Sequence, residues 1–152
     1  MNDTESIAWL DQEQQQIWRT YLLGVARINQ RLDDDLREFG IDLAEYEILV
    51  CLEEVPEHRL RMSELADAVH QSRSRLTHTI ARMERAGLVE RVNCPTDRRG
   101  GVWAQITDSG LELLRRAAPV HVAGVRRNFV EVADPEDFRA IGRTFAKVLE
   151  VE

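Results

Sequence analysis

Apolar residues recur along this chain at two spacings, and each spacing predicts a different kind of element. From about Glu13 to Phe39 they return every three or four positions, which places them on one stripe of a long amphipathic helix. Gly40 is placed to end that helix in a left-handed conformation. A second helix begins at Asp42, because Asp42 and Glu45 form a capping-box pattern, and Pro56 marks its end.

The middle of the chain changes from helical spacing to short strand-like segments. Ser63 is the predicted amino-terminal cap of a third, short helix, and Ser72 caps a fourth, longer helix. The segments Val89–Cys94 and Val102–Thr107 then have the length and composition of short strands. The loop between them begins at Pro95 and is rich in turn residues, so the two strands are predicted to form a hairpin.

Helical spacing returns in the last third of the chain. Thr107 and Asp108 open a fifth helix, which Pro119 is expected to kink or break because proline cannot donate the backbone hydrogen bond. Asp134 followed by Pro135 is typical of a helix start, so a sixth helix begins there. The predicted order is four helices, two strands and two helices, a mainly α fold with a small β-wing.

The composition narrows the class of protein. Hydrophobic residues make up 43% of the chain, enough for a packed core, and no segment approaches the roughly 18 uncharged apolar residues of a membrane span. The chain begins with an acidic, polar segment where a signal peptide would be basic and then apolar, so we expect a cytoplasmic protein without a membrane partner. The two cysteines, Cys51 and Cys94, make no disulfide framework and leave open whether either is redox-active.

Charge is distributed unevenly along the chain. The formal net charge of −7, taken alone, argues against binding to nucleic acid. Residues 58–105, however, carry nine arginines and five acidic residues, whereas the rest of the chain carries 11 basic and 22 acidic residues. A basic middle between acidic flanks is typical of a DNA-reading unit on an acidic scaffold, and chance clustering on a solvated face is the alternative.

The segment Met62–Arg91 combines this charge with a helix-turn-helix pattern of a short helix, a tight connection and a longer helix. The longer helix has one apolar face, and its other faces carry groups suited to a major groove. Arginine can bond guanine through two hydrogen bonds, and serine and threonine can reach base edges or phosphates. Ser72 lies at the helix start, where free backbone amides favour phosphate. The candidate DNA contacts within the helix are Arg73, Ser74, Arg75, Thr77, His78 and Arg82.

The predicted hairpin supplies a second candidate contact with DNA. Its tip carries Arg98 and Arg99, and arginine is attracted to the enhanced negative potential of a narrow minor groove. DNA would repel Asp97, so this residue is expected to hold the tip by pairing with an arginine or capping the turn. Gly100 and Gly101 permit the positive φ that a tight return needs.

Nearly the whole chain resembles the MarR family of bacterial regulators through MSELADAVHQSRSRLTHTIARMERAGLVER, most specifically its ERAGLVER end, and the wing tip DRRG. The resemblance implies a winged helix-turn-helix with N- and C-terminal dimerisation helices, working as a homodimer on a pseudo-palindromic operator in double-stranded DNA. It implies these ranges: 1–41 and 108–152 for the helical dimerisation regions and 42–107 for the DNA-binding lobe. Carried over by motif position, the readers are Arg73, Ser74, Arg75, Thr77 and His78, with Arg98 or Arg99 as the wing contact. Arginine often stands in the family at the position of His78.

The same resemblance implies a site for a small anionic or aromatic effector where the first, second and fifth helices meet the DNA-binding lobe. The candidate lining residues are Trp18, Tyr21, Arg27, Tyr46 and His121. Packing in the core or at a subunit interface is the alternative interpretation for Trp18 and Tyr21. An effector would act by favouring a dimer geometry with the wrong half-site spacing.

The expected function is sequence-specific regulation of transcription, as a repressor released by a small-molecule effector, with activation left open. The sequence has no Gly-rich phosphate loop, no zinc-type spacing of cysteine and histidine and no evident nucleophile–base pair. We therefore expect no cofactor, no metal and no enzymatic activity. The alternative is a winged-helix protein-interaction module without DNA binding, which would show no salt-dependent affinity for duplex DNA.

Overall fold

The computed structural model describes residues 7–94 and 96–151, so Pro95 of the wing loop and the outermost residues of both predicted dimerisation regions lie outside the described residues. Within these ranges the helices are α1 (Gln12–Leu36), α2 (Leu43–Glu54), α3 (Met62–Ala68), α4 (Arg73–Arg85), α5 (Asp108–Val125) and α6 (Pro135–Glu150). The strands are β1 (Arg59–Arg61), β2 (Val89–Asn93) and β3 (Val102–Ile106). Short 3-10 turns occupy Arg37–Phe39 and Pro56–His58, and a π-helical turn occupies Arg126–Val130. The predicted mainly α fold with a small β-wing is confirmed.

Side-chain caps set most of the helix starts that the sequence predicts. Asp42 accepts a hydrogen bond from the amide of Glu45 at 2.8 Å, and the Glu45 carboxylate accepts one from the amide of Asp42 at 2.9 Å. Ser72 caps α4, Thr107 caps α5 and Asp134 caps α6, each through its side-chain oxygen. These caps satisfy backbone amides that have no partner inside the helix, which is why local sequence locates the starts well.

One predicted helix start is wrong, and the cause is a strand that the pattern does not reveal. α3 begins at Met62, so Ser63 lies inside its first turn, and Arg61 at the cap position makes no side-chain capping bond. The preceding residues form β1, which pairs antiparallel with β3 and places Leu60 opposite Ala104 in a sheet of order β1-β3-β2. A strand of three residues is too short to show a period of two, and it forms because β3 supplies its hydrogen bonds.

Of the predicted kink or break at Pro119, the break is wrong, because α5 continues through this residue to Val125. Proline removes one backbone hydrogen bond from a helix interior. α5 packs along both α1 and α2, and this tertiary packing holds the helix together across the missing bond. The helical hydrogen-bond pattern changes only afterwards, in the π-helical turn that begins at Arg126.

Most of the core lies in the winged-helix lobe, and the end of α1 and the part of α5 up to Ala117 complete it. Its largest fully buried side chains are Leu36, Ile48, Leu49, Leu52, Leu65, Leu76, Ile80, Met83 and Val89. α6 contributes no buried residue. Large apolar side chains on α1 and α6 remain exposed instead, among them Trp18, Leu23 and Leu149. Within the described ranges, none of the helices combines the length and the apolarity that crossing a membrane demands.

Candidate nucleic-acid interface

α4 is held to the lobe by one face and shows the other to solvent. Leu76, Ile80 and Met83 are fully buried, and they recur at the helical spacing. The helix ends in a Schellman closure, in which the amide of Leu88 donates to the carbonyl of Met83 at 3.0 Å and Gly87 has a φ of 74°. Both ends of the helix are therefore defined by local bonds, and its exposed face is presented on a fixed support.

The predicted reading residues lie on the exposed surface of α4. In the amino-terminal half of α4 and at its cap, the exposed residues are Ser72, Arg73, Ser74, Arg75, Thr77 and His78. The hydroxyl of Thr77 donates to the carbonyl of Arg73 at 2.8 Å, so its oxygen keeps its acceptor capacity toward solvent. The amino-terminal half of α4 thus combines two arginines, small hydroxyl groups and a helix start in one exposed surface.

Arg82 lies two turns further along α4, and the structure does not group it with these residues. Its Nε donates to Glu45 Oε1 at 2.7 Å and its Nη2 donates to Asp42 Oδ2 at 2.9 Å. The hydrogen bond to Glu45 is the largest cause that raises the pKa of Arg82 above its ordinary value. The guanidinium is therefore engaged by the capping box of α2.

The wing is a hairpin of β2 and β3 whose tip is organised by the carboxylate of Asp97. Its Oδ1 accepts a hydrogen bond from the amide of Arg99 at 3.1 Å, and its Oδ2 accepts one from the indole Nε1 of Trp103 at 3.0 Å. Arg61 pairs with the same carboxylate and donates to the carbonyl of Gly100 at 2.8 Å. The prediction that Asp97 holds the tip is confirmed, while Arg98 and Arg99 are exposed.

The electrostatics of this tip favour an ionised Asp97. Burial of the carboxylate opposes ionisation, but the hydrogen bonds from Trp103 and Arg99 and the charge of Arg61 outweigh it, so the pKa of Asp97 lies below its ordinary value. The wing therefore keeps its internal ion pair throughout the neutral range.

Sequence reasoning missed the residues that support the wing from β1. The guanidinium carbons of Arg59 and Arg61 lie 5.9 Å and 5.6 Å from the ring centre of Trp103, so two cations contact one indole. The alternation Arg59-Leu60-Arg61 was the only available signal, since it places both arginines on one face of a strand. Because β1 itself was not predicted, the alternation could not be assigned to one face of a strand.

The two cysteines are free and differ in acidity. Burial raises the pKa of the Cys51 thiol on α2. A hydrogen bond with Thr96, at 3.1 Å between Sγ and Oγ1, lowers the pKa of the Cys94 thiol at the end of β2. Of the two, Cys94 forms the reactive thiolate more readily.

The five predicted effector residues do not come together in one pocket. Trp18 stacks on Tyr21 with ring centres 5.5 Å apart, and Tyr21 contacts Phe145 of α6 at 5.7 Å. Tyr46 of α2 contacts His121 of α5 instead, with ring centres 4.3 Å apart. Arg27 is exposed on α1. The structure therefore separates these residues between a face shared by α1 and α6 and a cleft between α2 and α5.

The cleft between α2 and α5 opens into a cavity of about 450 Å³. Its walls carry the rings of Tyr46 and His121, the side chains of Val50 and Cys51, and the carboxylates of Glu47 and Glu54. Burial lowers the pKa of His121, and its Nδ1 is buried and meets no hydrogen-bond partner within residues 7–94 and 96–151. Burial also raises the pKa of Glu47. The cavity therefore offers aromatic walls and an unused ring nitrogen, and its other groups that can carry a charge near neutral pH are two carboxylates and His70.

A second cavity of about 770 Å³ lies between α1 and α6, with almost wholly apolar walls that include Tyr21, Ile28, Phe138 and Phe145. It is continuous with the exposed apolar side chains of both helices.

As for metals, no group of three or more histidine, cysteine, aspartate or glutamate side chains in the described part of the chain could hold an ion.

Comparison with known proteins points to one family. The sequence model of the MarR family matches residues 41–100. The crystal structure of AbsC, a MarR family transcriptional regulator from Streptomyces coelicolor, is 46% identical with a TM-score of 0.87, and the match covers 93% of this chain and 95% of that one. The structure of Sco3205 from the same organism, a MarR family transcriptional regulator in complex with DNA, is 42% identical with a TM-score of 0.87, and the match covers 93% and 92%.

A more distant relative supports the same assignment over a shorter stretch. The transcriptional repressor MprA of Escherichia coli (strain K12) is 33% identical over 84 residues, which is 55% of this chain and 47% of that protein. The similarity therefore spans about half of the repressor's length.

Proposed function

Because the chain belongs to the MarR family of DNA-binding transcriptional regulators, we propose that it acts as a homodimeric repressor on a pseudo-palindromic operator. In each subunit, the amino-terminal half of α4 enters the major groove and the wing tip reaches the adjacent minor groove. The observation that carries the proposal is the exposed arginine surface of α4, where Arg73 and Thr77 share a pocket with Gly101 and Val102 of the wing, whose tip is held by Asp97. Repression is the activity that the name of MprA supports.

The contacts divide between reading and attraction. We assign base reading to Arg75 and Thr77, with Arg73, Ser74 and His78 as flanking contacts and Ser72 at a phosphate. Arg98 and Arg99 supply electrostatic affinity from the wing. No catalytic role is assigned to any of these groups.

The domain ranges follow the elements. Residues 42–107 make the DNA-binding lobe, while 1–41 and 108–152 provide the dimerisation helices. Support for the dimer comes from exposed apolar side chains on the terminal helices and near them, such as Trp9, which is 84% exposed, and Leu149, which is 83% exposed. Paired two-fold lobes would reach half-sites separated by about one turn of DNA, roughly 34–36 Å.

For the effector, we propose the cleft between α2 and α5. Of the two predicted chemistries, the cavity favours an aromatic ligand over an anionic one, because two carboxylates and no arginine or lysine stand among its described lining residues, where His70 is the only partner for an anion besides His121. An aromatic ligand would pack against the paired rings of Tyr46 and His121, and a small movement of the His121 ring would bring its buried Nδ1, unpaired within the described residues, to a donor group of the ligand. Binding there would alter how α2 and α5 meet, and with it the spacing of the two lobes.

DNA binding is tested by selecting duplexes from a random library and measuring affinity for the winning sequence over a salt series. Arg75→Ala should relax preference at one operator position at a cost of about 1–3 kcal/mol. Arg99→Ala should weaken binding evenly across sequences and flatten the salt slope by about 0.9 for each phosphate that the arginine neutralises. Arg115→Ala, on the exposed surface of α5, is the matched control and should change neither quantity.

Unchanged binding in both Arg75→Ala and Arg99→Ala would overturn the assignment of reading helix and wing. A wild-type protein without salt-dependent affinity for any duplex would instead favour a protein-interaction module.

The effector proposal is tested with a panel of phenols and indoles. Val50→Trp fills the cleft, so it should leave operator affinity intact and abolish release by any compound that releases the wild type.

A further inference from the structure

Three helices meet at the amino end of α2, and side-chain bonds join them there. Asp33 of α1 accepts a hydrogen bond from the amide of Leu43, in the first turn of α2, at 2.7 Å. The capping box of α2 follows immediately, and Arg82 of α4 binds its two carboxylates. The dimerisation helix, the second helix and the reading helix are thus connected through one short segment of backbone.

The bonds at this junction use every carboxylate oxygen of the capping box. Asp42 presents Oδ1 to the amide of Glu45 and Oδ2 to Arg82 Nη2, at 2.8 and 2.9 Å. Glu45 presents Oε2 to the amide of Asp42 and Oε1 to Arg82 Nε, at 2.9 and 2.7 Å. We call this unit of Asp42, Glu45 and Arg82 the clasp. Glu45 is only 6% exposed, so its charge depends on these partners.

The position of the clasp along α4 suggests its purpose. Arg82 lies seven residues after Arg75, about 10 Å along the helix axis and on nearly the same side. The clasp therefore fixes the carboxy-terminal half of α4 while the amino-terminal half projects with its reading groups. A small tilt at the fixed end would displace the reading groups by a larger distance.

We infer that Arg82 is a positioning residue, which sets the angle of the reading helix against α2 and, through Asp33, against α1, and that it does not contact DNA. The inference rests on the proposed DNA-binding function and adds a determinant of specificity to it. The clasp holds one positive and two negative charges, so as a unit it is net negative and does not attract a phosphate. The clasp instead aligns each reading helix with the helix that pairs the subunits.

Arg82 as a phosphate contact and Arg82 as a positioning residue predict opposite results when the carboxylates of Asp42 and Glu45 are neutralised. Asp42→Asn and Glu45→Gln each keep one oxygen acceptor for the capping box, but they remove the charge and replace the oxygen that binds Arg82 with an amide NH2 group, which cannot accept from the guanidinium. If Arg82 were a phosphate contact, freeing it and removing two negative charges would strengthen binding to DNA. If it positions α4, the same double variant weakens binding to the selected duplex and leaves binding to an unrelated duplex no weaker.

The experiment uses the full chain, the duplex selected by the wild type, and an unrelated duplex of equal length, over a salt series. Arg82→Met, which keeps the apolar stem, should lower affinity for the selected duplex by about tenfold, within the range by which residues distant from a ligand modulate its binding. Its affinity for the unrelated duplex and its salt slope should match the wild type. Adding Arg82→Met to the Asp42→Asn/Glu45→Gln variant should weaken binding no further, because the three residues act as one unit.

Arg82→Lys separates the two roles in a second way. Lysine can replace arginine as a point charge on a phosphate, but one ammonium cannot span both carboxylates with the geometry of the guanidinium. Wild-type affinity in Arg82→Lys, or a salt slope flattened by about 0.9 per site in Arg82→Met, would overturn the inference. Arg115→Met is the control for removal of a charge, and thermal unfolding confirms that each variant is folded.

The outcomes distinguish a failure of the positioning role of Arg82 from a failure of the proposed DNA-binding function. If the wild type selects no duplex, the proposed function fails. If the wild type, Arg75→Ala and Arg99→Ala behave as proposed while the Arg82 variants behave as phosphate contacts, only the positioning role fails.

Discussion

At the tip of the wing, three groups from different segments converge on one carboxylate. Arg61 comes from β1, the indole of Trp103 from β3 and the amide of Arg99 from the turn itself. Asp97 was predicted to hold the turn, but Arg61 and Trp103 could not be predicted as its partners, because they lie on either side of it in sequence and meet only in the sheet. One residue thus sets the geometry that presents Arg98 and Arg99.

Replacing Asp97 by asparagine tests this role. An acidic residue facing DNA repels it, so its removal would ordinarily strengthen binding. We expect Asp97→Asn to weaken binding to the selected duplex instead, because the ion pair with Arg61 is removed and the tip loosens. Hydrogen exchange should show faster opening of the wing amides.

Glu90→Gln, on the exposed side of β2, is the matched control and should leave the wing amides unchanged. If Asp97→Asn binds the selected duplex as tightly as Glu90→Gln does, the carboxylate does not organise the tip.

His121 makes folding stability depend on pH. Burial lowers its pKa in the folded protein, opposed by the charge of Asp35, so the unfolded chain binds the proton more tightly. The stability that this residue contributes is complete above the unfolded pKa of about 6.5 and is lost as the pH falls through that value toward the folded pKa. The free energy of unfolding should therefore fall more steeply between about pH 7 and 5 in the wild type than in His121→Asn.

Chemical denaturation at a series of pH values measures this difference. Parallel curves for the two proteins would show that His121 titrates alike in the folded and unfolded chains. Ser74→Ala, a substitution at an exposed residue of α4 that does not titrate, provides the comparison and should follow the wild type.

Among the elements, the helices that begin at a side-chain cap were predicted well. The strand that forms only by pairing with a distant strand was not predicted. The caps at Asp42, Ser72 and Thr107 located three helix starts, since each bond spans only three residues. β1 was missed and the cap at Ser63 misplaced, because that strand is created by β3, which follows some forty residues later. Packing against α1 and α2 likewise overrode the local effect of Pro119 on α5.

The start of α5 illustrates how tightly one element can constrain another. A side chain at Gly110 would press against the carbonyl oxygen of Leu88, at the junction of α4 and β2, and would lie 2.8 Å from Ile106 Cγ1. Backbone cannot move aside as a flexible side chain can. We expect Gly110→Ala to reduce the free energy of unfolding by about 1–3 kcal/mol, measured by urea denaturation.

Ser109→Ala, one residue earlier on the exposed side of the same helix, should stay within about 0.5 kcal/mol of the wild type. Equal stability of the two variants would mean that α5 can shift relative to the wing without cost.

For the whole molecule, the decisive feature is an apolar surface that one subunit leaves uncovered. α1 and α6 expose large apolar side chains, and the cavity of about 770 Å³ between them has apolar walls. Single exposed apolar residues are common on monomeric proteins, but a contiguous apolar surface of this kind marks an interaction site. The proposed homodimer buries this surface. In the proposed homodimer, that contact would fix the spacing of the two DNA-binding lobes.

Leu149→Glu places a charge in this surface, so we expect it to shift the protein from dimer to monomer in sedimentation experiments and to weaken operator binding at equal protein concentration. Lys147→Glu lies on the other side of α6 and changes the net charge more, yet it should remain dimeric. If both variants sediment alike, the α6 surface is not the interface.

The sequence by itself determined the helices, most of their caps, the wing and the exposed groups that suit DNA, because each depends on periodicity or on bonds between near neighbours. Only the tertiary structure decided that β1 supports the wing, that Arg82 binds the capping box of α2, and that Tyr46 and His121 share a cleft from which Trp18, Tyr21 and Arg27 are absent. Those outcomes depend on contacts between residues tens of positions apart, and the chain must pack before such partners meet.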